Sequence, residues 1–386
     1  MDSLFDSEHD EFRSIVADFI DRDVRPHYGR WEEDGRIDPA VWPAAAELGL
    51  LGLEVGPEHG GMGLADWRFR LVVVEELAAA GAAALNSAFA AQDDLVVPAL
   101  LRYGTAEQQE HWLPGMATGR MIGAVAFTEP GAGSDLRAMR TTAVRDGDSW
   151  VLNGQKAFVS NGLAADLLIV AASTTAEDGT AGHTLFLVEA GLLGVERGKP
   201  LNKLGLHAQD TVEVFLTDCV VSDDQVLGEA GAGLAAVSAL LPRERFAQAA
   251  ISWAEARAAL DWASEHVFAR SAFGQRIGDL QNTRFTLAET ETGLDVTRAY
   301  LERCVLDLND GVLTGVQAAK AKYWAGEQAV GVVSRMLQLF GGYGFMEEYP
   351  IARAYRDCRV QTIYAGTSEV MKEIIGRDIA RRRGRG

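Results

Sequence analysis

The sequence predicts a multidomain α+β protein: an all-helical N-terminal part, a β-rich middle and a C-terminal helical bundle. Two observations predict it. Apolar residues recur at three- and four-residue steps before about residue 121 and after about residue 228, the period of a helix face. Between those points the pattern changes to short runs rich in β-branched and aromatic residues, separated by Gly, Asp and Asn turns. A chain of 386 residues has room for two or three domains with cores of their own. The expected partition is 1–121, 122–228 and 229–386.

Composition narrows the function classes. A net charge of -19 opposes non-specific nucleic-acid binding or attachment to an anionic membrane surface, so an anionic ligand would need local basic groups. The three cysteines, Cys219, Cys304 and Cys358, are far apart, show no metal-ligand spacing and suit a reducing compartment. The start, Met1-Asp2-Ser3-Leu4-Phe5-Asp6, lacks the basic-then-apolar order of a targeting peptide. No apolar run reaches the length of a bilayer span. A soluble cytoplasmic protein is expected.

In the N-terminal part, Ser7 with Asp10 reads as a capping box ahead of a helix whose face is Phe12, Ile15, Val16, Phe19 and Ile20. Asp38-Pro39 opens a second helix ending near Gly49. Gly56 to Gly63 is a glycine-rich loop, in which His59 is a loop residue, and a helix follows Asp66. Alanine-rich segments run from Leu77 to Leu101. Thr105 with Gln108 caps a short helix that stops before Pro114.

Strands are expected at Gly123–Phe127, Thr141–Arg145, Trp150–Leu152, Ala157–Ser160, Leu167–Ala171, Thr184–Val188 and Val212–Leu216. Asp146-Gly147-Asp148 and Asn153-Gly154 read as turns between them. So many short strands suggest a compact β-barrel or sandwich. Thr128 to Asp135 follows a strand directly, and its glycines let backbone N–H groups converge on a ligand.

In the last part, Leu241-Pro242-Arg243-Glu244-Arg245 reads as the opening of a long helix with Ala249, Ala250, Trp253, Ala256, Leu260, Ala263 and Val267 on one face. Pro242 suits a first turn, where its missing N–H costs nothing, and Glu244 then sits at the positive end of the helix dipole. Further helices are expected from about Leu280 to Asp307, from Val316 to Phe340 and after Thr367. Four helices suffice for a bundle. The basic tail from Arg381 to Arg385 reads as a solvated end.

Four separated segments together resemble the acyl-CoA dehydrogenases. They are Phe127 to Asp135 (FTEPGAGSD), Asn153 to Gly162 (NGQKAFVSNG), Arg270 to Gly274 with Gln281, and Gly341 to Gly344 continuing through Ile363 to Glu369 (IYAGTSE). Their order and spacing hold over nearly the whole chain. The resemblance implies a helical domain, a β-barrel and a four-helix bundle assembled as a homotetramer, with FAD held without a Rossmann fold. That agrees with the lack of a strand–GxGxxG–helix unit. By position, it implies that Phe127, Thr128, Phe158 and Ser160 lie against the isoalloxazine, and that Ser134 approaches the flavin pyrophosphate or the ligand's pantetheine arm. It likewise implies that Arg270, Phe273, Gln281, Gln338 and Gly342 reach the FAD of a neighbouring subunit. Thr367 and Glu369 would complete the site within their own.

The implied reaction removes the α-proton of an acyl thioester while the β-hydrogen leaves as hydride to the flavin. So weak an acid requires a polarised carbonyl and a desolvated carboxylate of raised pKa. Short- and medium-chain members carry the base where this chain has Ala365, between Tyr364 and Gly366, which are expected to line the substrate site. Alanine cannot take a proton, though its backbone N–H can still bind the thioester oxygen. Long-chain and isovaleryl members place the base immediately before an arginine on the first helix of the C-terminal domain, where Glu244-Arg245 stands. Glu244 is therefore the expected base and Arg245 an expected substrate-orienting residue. An electron-transfer flavoprotein is the implied acceptor. Two other readings use the same scaffold: an acyl-carrier-protein substrate in specialised biosynthesis, and a flavin-dependent monooxygenase or oxidase.

Overall fold

The computed structural model describes residues 4–175 and 179–384. Helices α1 (Ser7–Phe19), α2 (Tyr28–Asp34), α3 (Val41–Glu47), α4 (Trp67–Ala79), α5 (Ala83–Ala91), α6 (Val97–Tyr103) and α7 (Ala106–Ala117) come first. The cap of α1 is Asp6, not Ser7: its carboxylate accepts the Glu8 N–H, and the His9 ring closes the capping box. Helix α2 was not expected; it ends on Gly35 in the left-handed region at φ 68°. The helix expected from Asp38-Pro39 starts at Val41, because the Asp38 side chain is used in a turn, accepting the Ala40 N–H at 3.0 Å. The Thr105–Gln108 pair caps as read from sequence, and Asp66, after which a helix was expected, turns out to be its cap, accepting the Arg68 N–H. Pro114 does not end α7. The helix continues through it, since burying Leu113, Met116 and Ala117 against the sheet side of the domain outweighs one lost backbone bond. Two π-turns, Ile20–Val24 and Gln92–Val96, interrupt the regular helices.

The middle of the chain is one sheet of β1 (Gly123–Ala126), β2 (Thr142–Asp146), β3 (Ser149–Ser160), β4 (Leu167–Thr175), β5 (Ala181–Glu189), β6 (Val195–Arg197), β7 (Thr211–Ser222) and β8 (Val226–Leu227). Its order is β6-β7-β3-β2-β4-β5-β8, with β1 parallel to β4. Ala124, Leu152, Val170, Phe186, Val214 and Val221 meet in a shared core on one side of it. Asp146 to Ser149 is the expected hairpin turn. Asn153-Gly154 is not a turn: β3 runs through it with a register shift between Leu152 and Gly154. A Cβ at Gly154 would lie 2.7 Å from the Thr141 Cα, so glycine here permits close approach rather than chain reversal.

The largest correction concerns α8, which spans Gly233–Ala269 and places Pro242 inside the helix. Its first turns pack Ala236, Val237 and Leu240 against the sheet-side core, while residues from Phe246 onward build the bundle core. Burial on both sides carries the helix through the proline. Glu244 therefore lies mid-helix, between two cores, and receives no help from an N-terminal dipole. A short hairpin, β9 (Ser271–Ala272) with β10 (Gln275–Arg276), turns at Phe273 and Gly274, both left-handed at φ 55° and 80°. Helices α9 (Gln281–Asn309), α10 (Gly315–Phe340), the unanticipated α11 (Pro350–Asp357) and α12 (Ser368–Arg383) follow. Helices α8, α9, α10 and α12 form the bundle. Among the described residues no helix is long and apolar enough to cross a membrane.

One buried group couples this bundle to pH. Glu255 on α8 is 5% exposed, accepts a hydrogen bond from Gln361 through one oxygen, and has no partner for the other among the described residues. Burial, reinforced by the negative charge of Asp357, raises its pKa to about 8. A carboxyl held protonated stabilises the fold fully below its ordinary 4.5 and loses that contribution as pH rises through about 8. Glu255→Gln keeps an acceptor for Gln361 without the titration. The melting temperature of that variant relative to the parent is expected to climb by a few degrees between pH 5 and pH 9. A constant difference over that range would contradict the assignment.

Candidate active site

The chain brings its sequence-singled residues together in two places. The first is around Glu244. Its Oε2 is enclosed and meets no hydrogen-bond donor among the described residues. Burial raises its pKa to about 7, opposed by Arg245 and Lys322 and supported by Asp94. Arg245 is half-buried, its guanidinium pKa lowered by burial and raised by Glu244, and its Nε is also unpartnered. That Nε lies 3.9 Å from where a Cβ on Gly366 would stand, which joins the α8 pair to the Tyr364–Thr367 segment.

This segment is an irregular turn. Ala365 is left-handed at φ 54°, a conformation an L-residue adopts only when its surroundings enforce it. The enforcing contact is Lys322 of α10, 2% exposed, whose Nζ donates to the Gly366 carbonyl at 2.5 Å. Burial brings the Lys322 pKa down to about 8, against the pull of Glu244. No described residue accepts a hydrogen bond from the Ala365 N–H. The Tyr364 hydroxyl donates to Gln361 Oε1 at 3.1 Å, and its pKa is raised well above the ordinary value by burial, Glu255 and Glu244.

The second place is beside the sheet, where the segment after β1, Phe127 to Ser134, meets the interior strand β3. The Ala157 N–H donates to the Thr128 carbonyl at 2.9 Å. The fully buried Lys156 donates to Glu129 Oε1 at 2.7 Å and lies 3.5 Å from the Phe127 carbonyl. Glu129 also accepts the backbone N–H groups of Arg140 and Thr141, and against burial the Lys156 bond first, then these, hold its pKa at about 2. The Phe127, Thr128 and Ser160 side chains are half-buried, while the Phe158 ring is 67% exposed on a residue at φ 56°. Ser134 sits on an exposed turn.

Thr367 caps α12, accepting the Val370 N–H at 3.3 Å, and with Glu369 lines a cleft of about 380 Å³ whose other walls include Glu327, Arg359 and Thr362. Glu369 is exposed and its pKa is lowered by its own backbone N–H and Thr367, the opposite of what a base needs. Arg270, Phe273, Gln281, Gln338 and Gly342 are all exposed and none lines that cleft. The Arg270 guanidinium stacks over Tyr343 at 5.1 Å, which gathers it beside Gly342 on the outer face.

Three family profiles match in succession: acyl-CoA dehydrogenase N-terminal domain over residues 6–120, middle domain over 124–219 and C-terminal domain over 231–380. The chain belongs to the acyl-CoA dehydrogenase family. A pig (Sus scrofa) long-chain specific acyl-CoA dehydrogenase is 41% identical over 378 residues, covering 97% of this chain and 87% of that protein. An acyl-CoA dehydrogenase structure from Geobacillus kaustophilus superposes with a TM-score of 0.93 at 39% identity, covering 97% of this chain and 98% of that one. A glutaryl-CoA dehydrogenase from Mycobacterium smegmatis in complex with FADH2 gives 0.91 at 28% identity, covering 97% and 95%.

Family membership accounts for the polar surroundings of a flavin and a thioester, and the residues present fit such groups. Aromatic and hydroxyl side chains gather where Phe127 to Ser134 meets β3, and an unpartnered N–H and an unpaired carboxyl lie in the region of Ala365 and Glu244. Among the described residues no cluster suited to a metal ion occurs. Sequence reasoning missed Lys322 and Lys156. Lys322 carried a signal: it interrupts an alanine stripe (Ala318, Ala319, Ala321, Ala325) on the buried face of its helix, where a lysine needs a partner. Lys156→Met leaves Glu129 buried without its cation, a loss of about 3–5 kcal/mol. The measurable result is a large drop in melting temperature together with loss of bound flavin; an unchanged melt would contradict the pairing.

Proposed function

We propose that the protein catalyses the FAD-dependent α,β-dehydrogenation of an acyl-CoA thioester with Glu244 as the proton-abstracting base. One observation carries the reading: the Glu244 carboxyl has an enclosed, unpaired oxygen and a pKa raised by burial to about 7, and it lies within electrostatic reach of Tyr364 and of Lys322, which holds the Gly366 carbonyl of the Tyr364–Gly366 turn. Such a carboxyl is substantially ionised near neutral pH, more so as pH rises, and is basic enough to take an α-proton. FAD supplies the hydride acceptor when bound. Phe127, Thr128, Phe158 and Ser160 would line its ring, Ser134 would approach its pyrophosphate or the pantetheine arm, and Thr367 and Glu369 would hold it from the same subunit. The exposed Arg270, Phe273, Gln281, Gln338 and Gly342 would reach the flavin of a neighbour, which makes a homotetramer the expected assembly.

The Ala365 N–H, which no described residue accepts, would bind the thioester oxygen and so acidify the α-carbon. Arg245, Tyr364 and Gly366 would bound the acyl site. The partition at 1–121, 122–228 and 229–386 follows the three kinds of structure. The three free buried cysteines support a cytoplasmic setting, with an electron-transfer flavoprotein as acceptor and fatty-acid breakdown as the role.

Anaerobic titration with palmitoyl-CoA and isovaleryl-CoA tests the reading. Bleaching stable to air is expected; rapid reoxidation would favour an oxidase or monooxygenase, and bleaching only by the acyl-carrier-protein thioester would favour biosynthesis. Glu244→Gln is expected to retain FAD and to slow bleaching ~10²–10⁴-fold. Bleaching at the parent rate would overturn the base assignment. Ala365→Glu in that background is expected to restore part of the rate, read by the same titration.

A further inference from the structure

Glu244 lies between two arginines, and a guanidinium paired with it would hold its proton affinity low and make it a poor base. The structure keeps that from happening on the Arg243 side. Arg243 turns away and donates to Glu54 Oε1 at 2.5 Å and to the Asp93 carbonyl at 3.2 Å, with Asp94 Oδ1 at 3.5 Å. Asp94 is 1% exposed and fixed from two other directions, by Trp67 Nε1 at 2.9 Å and Arg70 Nε at 3.1 Å. Both aspartates belong to the π-turn Gln92–Val96, whose wider backbone sets Asp93 and Asp94 side by side facing inward. Asp93 is anchored by the Gly52 N–H at 3.1 Å. Gly52 cannot shift in turn, being left-handed and close enough to the Ala117 Cα that a Cβ would lie at 2.7 Å. The floor behind Glu244 is thus a rigid charged cluster contributed by the N-terminal helices.

We propose that Asp94 is a positioning residue for the reaction: with Glu54 it holds Arg243 off Glu244, and it sets a fixed negative charge behind the base. The inference rests on Glu244 being that base. The charged and titratable groups acting on Glu244 are Arg245 on its own helix, Lys322 from α10, Tyr364 from the irregular turn and Asp94 from the π-turn; behind Asp94 stand Arg243, Arg70, Glu54 and Asp93, the last raised by burial to about 7. Lys322 is occupied by the Gly366 carbonyl and Arg243 by Glu54 and Asp94. Arg245, by contrast, makes no side-chain hydrogen bond and has no carboxylate in salt-bridge contact among the described residues, and its Nε is unpartnered. Asp94 acts in the same direction as burial, favouring the protonated form of Glu244.

The signs of the substitutions follow. Asp94→Asn removes the repelling charge and frees Arg243, so Glu244 gives up its proton more readily. Arg243→Gln leaves Asp94 less neutralised, so Glu244 holds its proton more tightly. The experiment is stopped-flow flavin reduction of the FAD-loaded protein by palmitoyl-CoA from pH 5.5 to 9, with Glu244→Gln as control. The midpoint of the acid limb is expected to fall by about one pH unit in Asp94→Asn and to rise by a similar amount in Arg243→Gln, the scale of a single nearby charge. In Asp94→Asn the high-pH plateau is also expected to drop several-fold, because a weaker base transfers the proton more slowly.

A merely structural role would lower both plateaus and move neither midpoint. Where Asp94→Asn fails to hold FAD, the half-buried Glu54→Gln replaces it, with a smaller shift of the same sign expected. Midpoints coinciding with the parent in FAD-loaded variants overturn the inference while the base assignment stands. An active Glu244→Gln overturns the base assignment itself.

Discussion

A carboxyl in the middle of a helix that serves two cores is the constraint from which the site follows. Helix α8 is 37 residues long and belongs at one end to the sheet-side core and at the other to the bundle. Glu244 occupies the crossing point, where solvent is scarce and no helix terminus offers a compensating dipole. Desolvation then dominates its titration, and the nearby cations offset only part of it. Had the helix begun at Pro242, as its sequence suggests, the same carboxyl would have met free N–H groups in the first turn and remained an ordinary acid.

Irregular segments elsewhere are held by buried side-chain charges rather than by secondary structure. Lys156 and Glu129 fasten the Thr128–Asp135 loop to β3, and Lys322 fixes the Gly366 carbonyl. Asp357 accepts the Leu206 N–H at 2.6 Å, and Glu32 joins the Ala208 N–H to Arg356. Each tie crosses between elements far apart in sequence. A loop pinned by one long-range ion pair keeps a strained or exposed backbone, such as Phe158 at φ 56° or Ala365 at φ 54°, without a regular ladder to support it. Such positions are suited to presenting a bare N–H or an aromatic face to a bound group.

What the sequence revealed and what it hid divide along the range of the interaction. Local signals were legible: the Thr105–Gln108 cap, the helices beginning after Asp66 and Thr367, and the hairpin turn at Asp146. The bundle and the strand-rich centre followed from periodicity alone. The failures needed tertiary knowledge. Pro114 and Pro242 read as helix boundaries because their cost is local, whereas the burial that overrides it comes from distant partners. Gly154 read as a turn because nothing nearby reveals that Thr141 presses against it. Asp93 and Asp94 drew no notice, since a π-turn leaves no distinct periodicity and two adjacent acids usually mark a solvated face.

If Glu244 is the base, as proposed, Ala365 shows how a reaction site tolerates moving it. The requirements are a carboxyl beside the reacting carbon and a backbone donor for the carbonyl oxygen, and only the donor must come from the Tyr364–Gly366 turn. Backbone geometry there is secured by Lys322 through a carbonyl, not through the side chain of residue 365, so alanine preserves the donor intact. The carboxyl can then come from whichever element passes close enough in a dry environment. Helix α8 qualifies because Arg243 is already engaged by the N-terminal helices, leaving Glu244 unpaired. In the proposed reading the two halves of the machinery are set by separate parts of the fold: the donor by the bundle, the base where α8 passes from the sheet-side core to the bundle.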